Sequence, residues 1–171
     1  IVELGSNEIV LKRKNTSTPV IDLKGKMVLP GFHDSHAHIL EGGYALGLCN
    51  LNNLKTINEY KEKLKECKKT QADKKWITGF GWKLSLFPNG NATREILDSV
   101  ISDKPVGLVC NDGHSYWVNS KALEIANITK DTPDPKDGRI ERDVNGLPTG
   151  TLRDGAMELI RPFAFDPSVL D

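Results

Sequence analysis

The chain has no surplus of either charge sign: among its 171 residues, 23 basic side chains stand against 23 acidic ones. General nucleic-acid binding needs a basic excess to displace counterions, so that class is set aside. Cysteine is scarce. Cys49, Cys67 and Cys110 are odd in number, widely spaced and without a Cys-x-x-Cys pair. That usage argues against a secreted disulfide framework and for a reducing, cytoplasmic setting. No run approaches the ~18 apolar residues of a membrane span, so no membrane partner is expected. Residue 1 is Ile rather than Met, and no basic segment followed by an apolar stretch precedes the body of the chain. The natural N-terminus is therefore expected to have been removed. Asn-x-Ser/Thr triplets at Asn15, Asn91 and Asn127 are read as chance in an Asn- and Thr-rich sequence.

With 38% apolar and 27% charged residues, the composition sits near the averages for globular domains. It excludes a disordered polyelectrolyte and a collagen-like repeat. The length fits one domain, or one and a fragment, with enough chain to bury a core.

Residues 1–32 read as short strands at Ile9–Leu11, Val20–Leu23 and Lys26–Leu29, a side sheet rather than a domain. The stretch 56–70 reads as a helix. Thr56 and Glu59 have capping-box spacing, and Ile57, Tyr60, Leu64 and Cys67 form one apolar stripe. On its other face Glu59 and Lys63 stand four apart in the favourable order. From Lys55 to Lys75 eight lysines face four acids, read as a solvated outer face rather than a basic docking patch. A strand at 75–82, a short helix at 93–101, a buried strand at 105–110 and a helix at 120–126 follow. Two strands around Asn145-Gly146 predict a hairpin with a two-residue turn, and a last helix is expected over 154–161. Alternating strands and helices suggest βα units on a mostly parallel sheet.

Three of the four histidines fall within six residues, in His33-Asp34-Ser35-His36-Ala37-His38. On a strand, side chains alternate faces, so Asp34, His36 and His38 point one way and His33 the other. Two imidazoles on one face can converge on a divalent metal, and Asp34 can hold one ring in orientation.

The run Val20–His38 resembles the opening of the metal-dependent amidohydrolase superfamily. Trp76–Trp82, Pro105-Val106, Asp112–Leu123, Gly138–Ile140 and Gly146–Leu152 resemble its amidohydrolase family 3 branch, over about residues 20–160. The resemblance implies an α/β fold: part of a (β/α)8 TIM barrel over 28–171, including the 138–152 hairpin. Residues 1–27 would be a remnant of a β-sandwich side domain. A complete barrel needs ~250 residues, so the chain is expected to be an internal piece of a larger enzyme.

The implied activity is hydrolysis of C–N bonds in small amides or cyclic amides by a metal-activated water. His36 and His38 would bind the metal, expected to be zinc, one or two ions in the full protein and weakly held or absent here. Asp34 would orient them. His114, Asp112 and Trp82 are expected at the substrate side, and Asp154 is a further acidic candidate, with helix-terminus packing as its plainer reading. Asn119 or Ser120 reads as a helix cap, and Trp82 and Trp117 as pocket-lining or, more ordinarily, core. The general base is expected on strands outside this chain. Unpaired barrel strands would favour self-association. The competing reading is a noncatalytic or regulatory module with a vestigial His-x-His.

Overall fold

The computed structural model describes residues 2–35 and 43–164, and its contacts divide the chain into two units, Ile1–Ala37 and His38–Asp171. In the first unit a helical turn α1 (Asn7–Val10) runs into a 3-10 turn (Leu11–Arg13). The strand expected at Ile9–Leu11 is thus helical, and neither Val20–Leu23 nor Lys26–Leu29 forms one. The turn between them does form. The Asp22 side chain accepts the Lys24 N–H at 2.8 Å, and Lys24 and Gly25 adopt φ of 50° and 79°. A lone two-stranded hairpin is marginal in water, and no described residue of this unit is buried to support one.

The second unit holds a six-stranded sheet: β1 (Cys49–Asn50), β2 (Ile77–Trp82), β3 (Val106–Cys110), β4 (Ser115–Val118), β5 (Gly138–Arg142) and β6 (Pro148–Asp154), in spatial order β1-β2-β3-β4-β6-β5. The pairs β1–β2 and β2–β3 are parallel, with Cys49 beside Gly79 and Ile77 beside Val106. The remaining pairs are antiparallel, which corrects the expectation of a mostly parallel sheet. The cause is connection length. Only residues 111–114 separate β3 from β4, far fewer than a parallel crossover requires. The hairpin turn is also longer than expected: Gly146 N–H donates to the Asp143 carbonyl at 3.0 Å, and Asp143 N–H to that of Leu147 at 2.9 Å. Gly146 takes the left-handed conformation, φ 79°, that closes such a loop.

Helix α2 (Ile57–Thr70) connects β1 to β2 and carries the predicted capping box. Thr56 Oγ1 accepts the Glu59 N–H at 3.2 Å, while Glu59 Oε2 accepts the Thr56 and Lys55 N–H groups. Those backbone donors hold the Glu59 carboxyl below its usual range. Tyr60, Leu64 and Cys67 are the buried residues of this helix. Its end is tied to β2 by Gln71, whose buried amide both accepts from Thr78 N–H and donates to Thr78 C=O, each at 2.9 Å. The second tie is a Cys49–Cys67 disulfide, with Cα atoms 5.5 Å apart, linking β1 to α2. Cysteine spacing, which argued against a disulfide framework, did not anticipate it. Closing a loop of this length stabilises by on the order of 3 kcal/mol.

One core gathers under α2 and α3 (Arg94–Asp98): Leu51, Tyr60, Leu64, Ile77, Leu97 and Leu108. At its centre Trp82, Phe87 and Trp117 meet edge to face, with ring centroids 5.0 to 5.9 Å apart. The other core holds Val118, Leu123, Ile140, Leu152 and Ile160. Along β4 the alternation sends Trp117 into the first and Val118 into the second, so the strand joins both.

Helix α4 (Ser120–Ile125) starts at Asn119, confirming the cap expected there. Its fully buried side chain does more. Oδ1 accepts from Ala122 N–H and Val106 N–H, each at 3.0 Å, and Nδ2 donates to Ile101 C=O at 2.8 Å and Lys104 C=O at 2.9 Å. Ser120, by contrast, bonds Asp98 through both its backbone N–H and its hydroxyl. Substituting Asn119→Ala strands buried backbone groups and should cost about 2–4 kcal/mol, read as a lowered midpoint in urea denaturation. A loss no larger than that of an ordinary cap, ~1 kcal/mol, would reduce Asn119 to capping alone.

Candidate functional site

At the C-terminal end of β3 the chain turns through Asn111–His114 into β4, and β6, antiparallel to β4, ends on the same side at Asp154. The loop is held from within: Asp112 Oδ1 accepts the His114 N–H at 2.9 Å. Burial pushes the Asp112 carboxyl up, but the His114 N–H and the Cys110 thiol outweigh it and hold it below its ordinary range. Beneath the loop, the buried Cys110 thiol reaches the Trp82 carbonyl, and burial pushes its own pKa up.

His114 and Asp154 are joined twice. Asp154 N–H donates to His114 C=O at 3.0 Å, and His114 Nδ1 lies 3.1 Å from Asp154 Oδ1. With the proton on Nδ1 and donated to the carboxylate, the Nε2 lone pair is left as an acceptor. The imidazole is 76% exposed, so that atom can meet a solute. A carboxylate-oriented imidazole of this kind can accept a proton or a hydrogen bond from a ligand.

Asp154 is strained. Its φ of 46° and ψ of −120° belong to the glycine-dominated position of a tight turn, at a cost of ~1–3 kcal/mol for a residue with a Cβ. Both sides of the turn are pinned: Gly155 N–H donates to Asp137 C=O at 2.9 Å, and a Cβ on Gly138 would fall 2.1 Å from the Ala156 nitrogen. The strained residue is the one whose carboxylate meets the histidine.

Arg153 anchors the strand behind it. Its guanidinium donates to Glu141 Oε1 at 3.0 Å, Ser115 Oγ at 3.1 Å, Gly90 C=O at 2.9 Å and Asn91 Oδ1 at 2.5 Å. Burial raises the Glu141 carboxyl, but hydrogen bonds from Arg139 and Arg153 prevail and bring it below its ordinary value. Sequence reasoning missed this network, because Asn91, Glu141 and Arg153 are distant along the chain and carry no local motif.

The structure therefore brings together His114, Asp112 and Asp154. Trp82 is elsewhere: it is fully buried, its indole N–H donating to Leu108 C=O at 2.9 Å. His33 and Asp34 lie in exposed chain without regular structure in the first unit, so the strand register assumed for them is not seen there. His36 and His38 lie outside the described residues. Among the described residues no three His, Cys, Asp or Glu side chains stand close enough to hold a metal.

The chain belongs to the amidohydrolase family, which matches residues 19–170. It is 35% identical to N-substituted formamide deformylase of Arthrobacter pascens, across 82% of this chain and 27% of that protein. It is 33% identical to the protein LONG AFTER FAR-RED 3 of Arabidopsis thaliana, across 99% of this chain and 29% of that protein. A crystal structure of an uncharacterized metal-dependent hydrolase from Pyrococcus furiosus shares its fold with a TM-score of 0.53 at 35% identity, covering 83% of this chain and 26% of that one. The chain thus spans less than a third of the length of these relatives.

Two outcomes follow from this geometry. Glycine at Asp154 relieves the backbone strain, so Asp154→Gly should raise stability by about 1 kcal/mol whereas Asp154→Ala should not. A destabilised glycine variant in thermal denaturation would mean that the His114 contact outweighs the strain. For Glu141 the folded pKa lies below the unfolded one, so its stabilisation is present above the usual ~4.3 and is lost as pH falls through the folded value. Urea midpoints measured from pH 7 to pH 3 should fall more steeply for the unsubstituted protein than for Glu141→Gln.

Proposed function

We propose that this chain is part of a metal-dependent hydrolase cleaving C–N bonds of small amides or cyclic amides. The reading is carried by the 35% identity to an N-substituted formamide deformylase over most of this chain. The parallel run β1-β2-β3, with α2 and α3 as crossovers, fits consecutive strands of a (β/α)8 barrel, whose substrate face lies at the C-terminal strand ends. His114 and Asp154 occupy that side. In this reading His114 Nε2 bonds the substrate, Asp154 sets the ring's orientation, and Asp112 shapes the loop between the strands.

His36 and His38 would hold a divalent metal, zinc by preference, with Asp34 positioning one ring and the remaining ligands beyond this chain. Such a metal supplies an ionised water and a polarised carbonyl oxygen. The general base also lies outside the chain in this reading.

In the full-length protein, His36→Ala and His38→Ala should each lose metal, by elemental analysis, and lower hydrolysis by more than about a hundredfold. His33→Ala should keep both, losing at most ~1 kcal/mol of stability. Activity is read on N-substituted formamides and cyclic amides, with esters alongside. Metal loss confined to His33→Ala would overturn the ligand assignment, and cleavage of the esters alone would overturn the C–N assignment.

A further inference from the structure

Two features of the chain have no part in hydrolysis: the Cys49–Cys67 disulfide and the three Asn-x-Ser/Thr triplets. We propose that Asn127, with Asn15 as a second acceptor, carries an N-linked glycan, and that the disulfide forms in the same oxidising compartment. Disulfides persist where thiols are not kept reduced. Both sulfur-bearing residues are nearly sealed from solvent, Cys49 at 1% and Cys67 at 3% exposure, so this pair is a fixed crosslink between strand and helix rather than a surface thiol pair.

The triplets differ in what the fold does with them. Asn127 follows the end of α4 with φ 52°, its N–H donating to Glu124 C=O at 3.0 Å. Ile128, next in the triplet, is 6% exposed and anchored in the second core, while Asn127 and Thr129 on either side are exposed. The triplet is thus held by its middle residue, with Asn127 and Thr129 at the surface and the Thr129 hydroxyl accepting the Asp131 N–H at 3.3 Å. The Asn127 side-chain amide makes no hydrogen bond among the described residues. A carbohydrate there breaks no side-chain hydrogen bond of Asn127 among the described residues.

Asn15 is also exposed, and its side-chain bonds all use the oxygen: Oδ1 accepts from Ser17 N–H at 3.0 Å, Ser17 Oγ at 2.8 Å and Thr18 Oγ1 at 2.9 Å. The nitrogen that would take the sugar is left outside that turn. Asn91 is the opposite case. Its Oδ1 lies 2.5 Å from the Arg153 guanidinium, its Nδ2 faces Glu141 at 3.5 Å, and Ala92 beside it is fully buried. A glycan on that nitrogen is incompatible with the network.

In the transfer, the Asn127 amide nitrogen attacks the anomeric carbon of a lipid-linked oligosaccharide diphosphate. The N–C bond forms, the sugar–phosphate bond breaks with its electron pair leaving on the diphosphate, and the amide proton is released. Forming the disulfide passes two electrons and two protons to a dithiol–disulfide oxidoreductase of that compartment.

The test uses the full-length protein purified from its own cells after rapid thiol alkylation. Peptide-N-glycosidase in 18O-water converts a glycosylated Asn to labelled Asp. The expected result is labelled Asp at position 127, and at 15, with unmodified Asn91 and a Cys49–Cys67 linked peptide in the unreduced digest. An Asn127→Gln variant should lose the mobility shift of one glycan. Absence of label at 127, label at Asn91 alone, or alkylated Cys49 and Cys67 would each overturn the proposal.

Discussion

The buried amide of Asn119 is the point on which the second unit depends. One side chain closes the end of β3, starts α4 and satisfies two carbonyls of the α3–β3 connection. Each of those backbone groups is away from water, where an unpaired donor or acceptor costs ~1–3 kcal/mol. Without a group offering two donors and an acceptor at that spot, the turn from β4 into α4 could not pack against β3. Aspartate has the acceptor but lacks the donors, and leucine has neither.

The same requirement, applied at the other end of β4, shapes the candidate site. There the loop 111–114 is closed by Asp112, and Asp154 is forced into a glycine-like conformation between Asp137, Gly138 and His114. Arg153 holds the preceding residue from behind through Glu141, Ser115, Asn91 and Gly90. Strain persists only where neighbours over-determine the backbone, and here they do so on both sides. The outcome is an exposed imidazole oriented by the carboxylate at the end of β6 as well as by its own closed loop.

Much was legible in local pattern. The capping box and stripe of α2, the buried strands β2 and β3, the Asn119 cap and the 138–152 hairpin follow from spacing and turn chemistry, which act over a few residues. The pairing of His114 with Asp112 was foreseeable because the two are neighbours. Its contact with Asp154, 40 residues on, was not. Strand β4 was hidden by its brevity, and the strands expected before residue 30 failed because short apolar runs need a surface to bury against.

By itself, then, the sequence determined the family, the helix and strand periods and the histidine motif, since these rest on residue order and short-range geometry. Tertiary structure alone decided the antiparallel half of the sheet, the Cys49–Cys67 crosslink, the burial of Trp82 and the Arg153–Glu141 anchor. Each of these joins segments far apart along the chain, and which of them meet depends on how the two cores pack around the sheet.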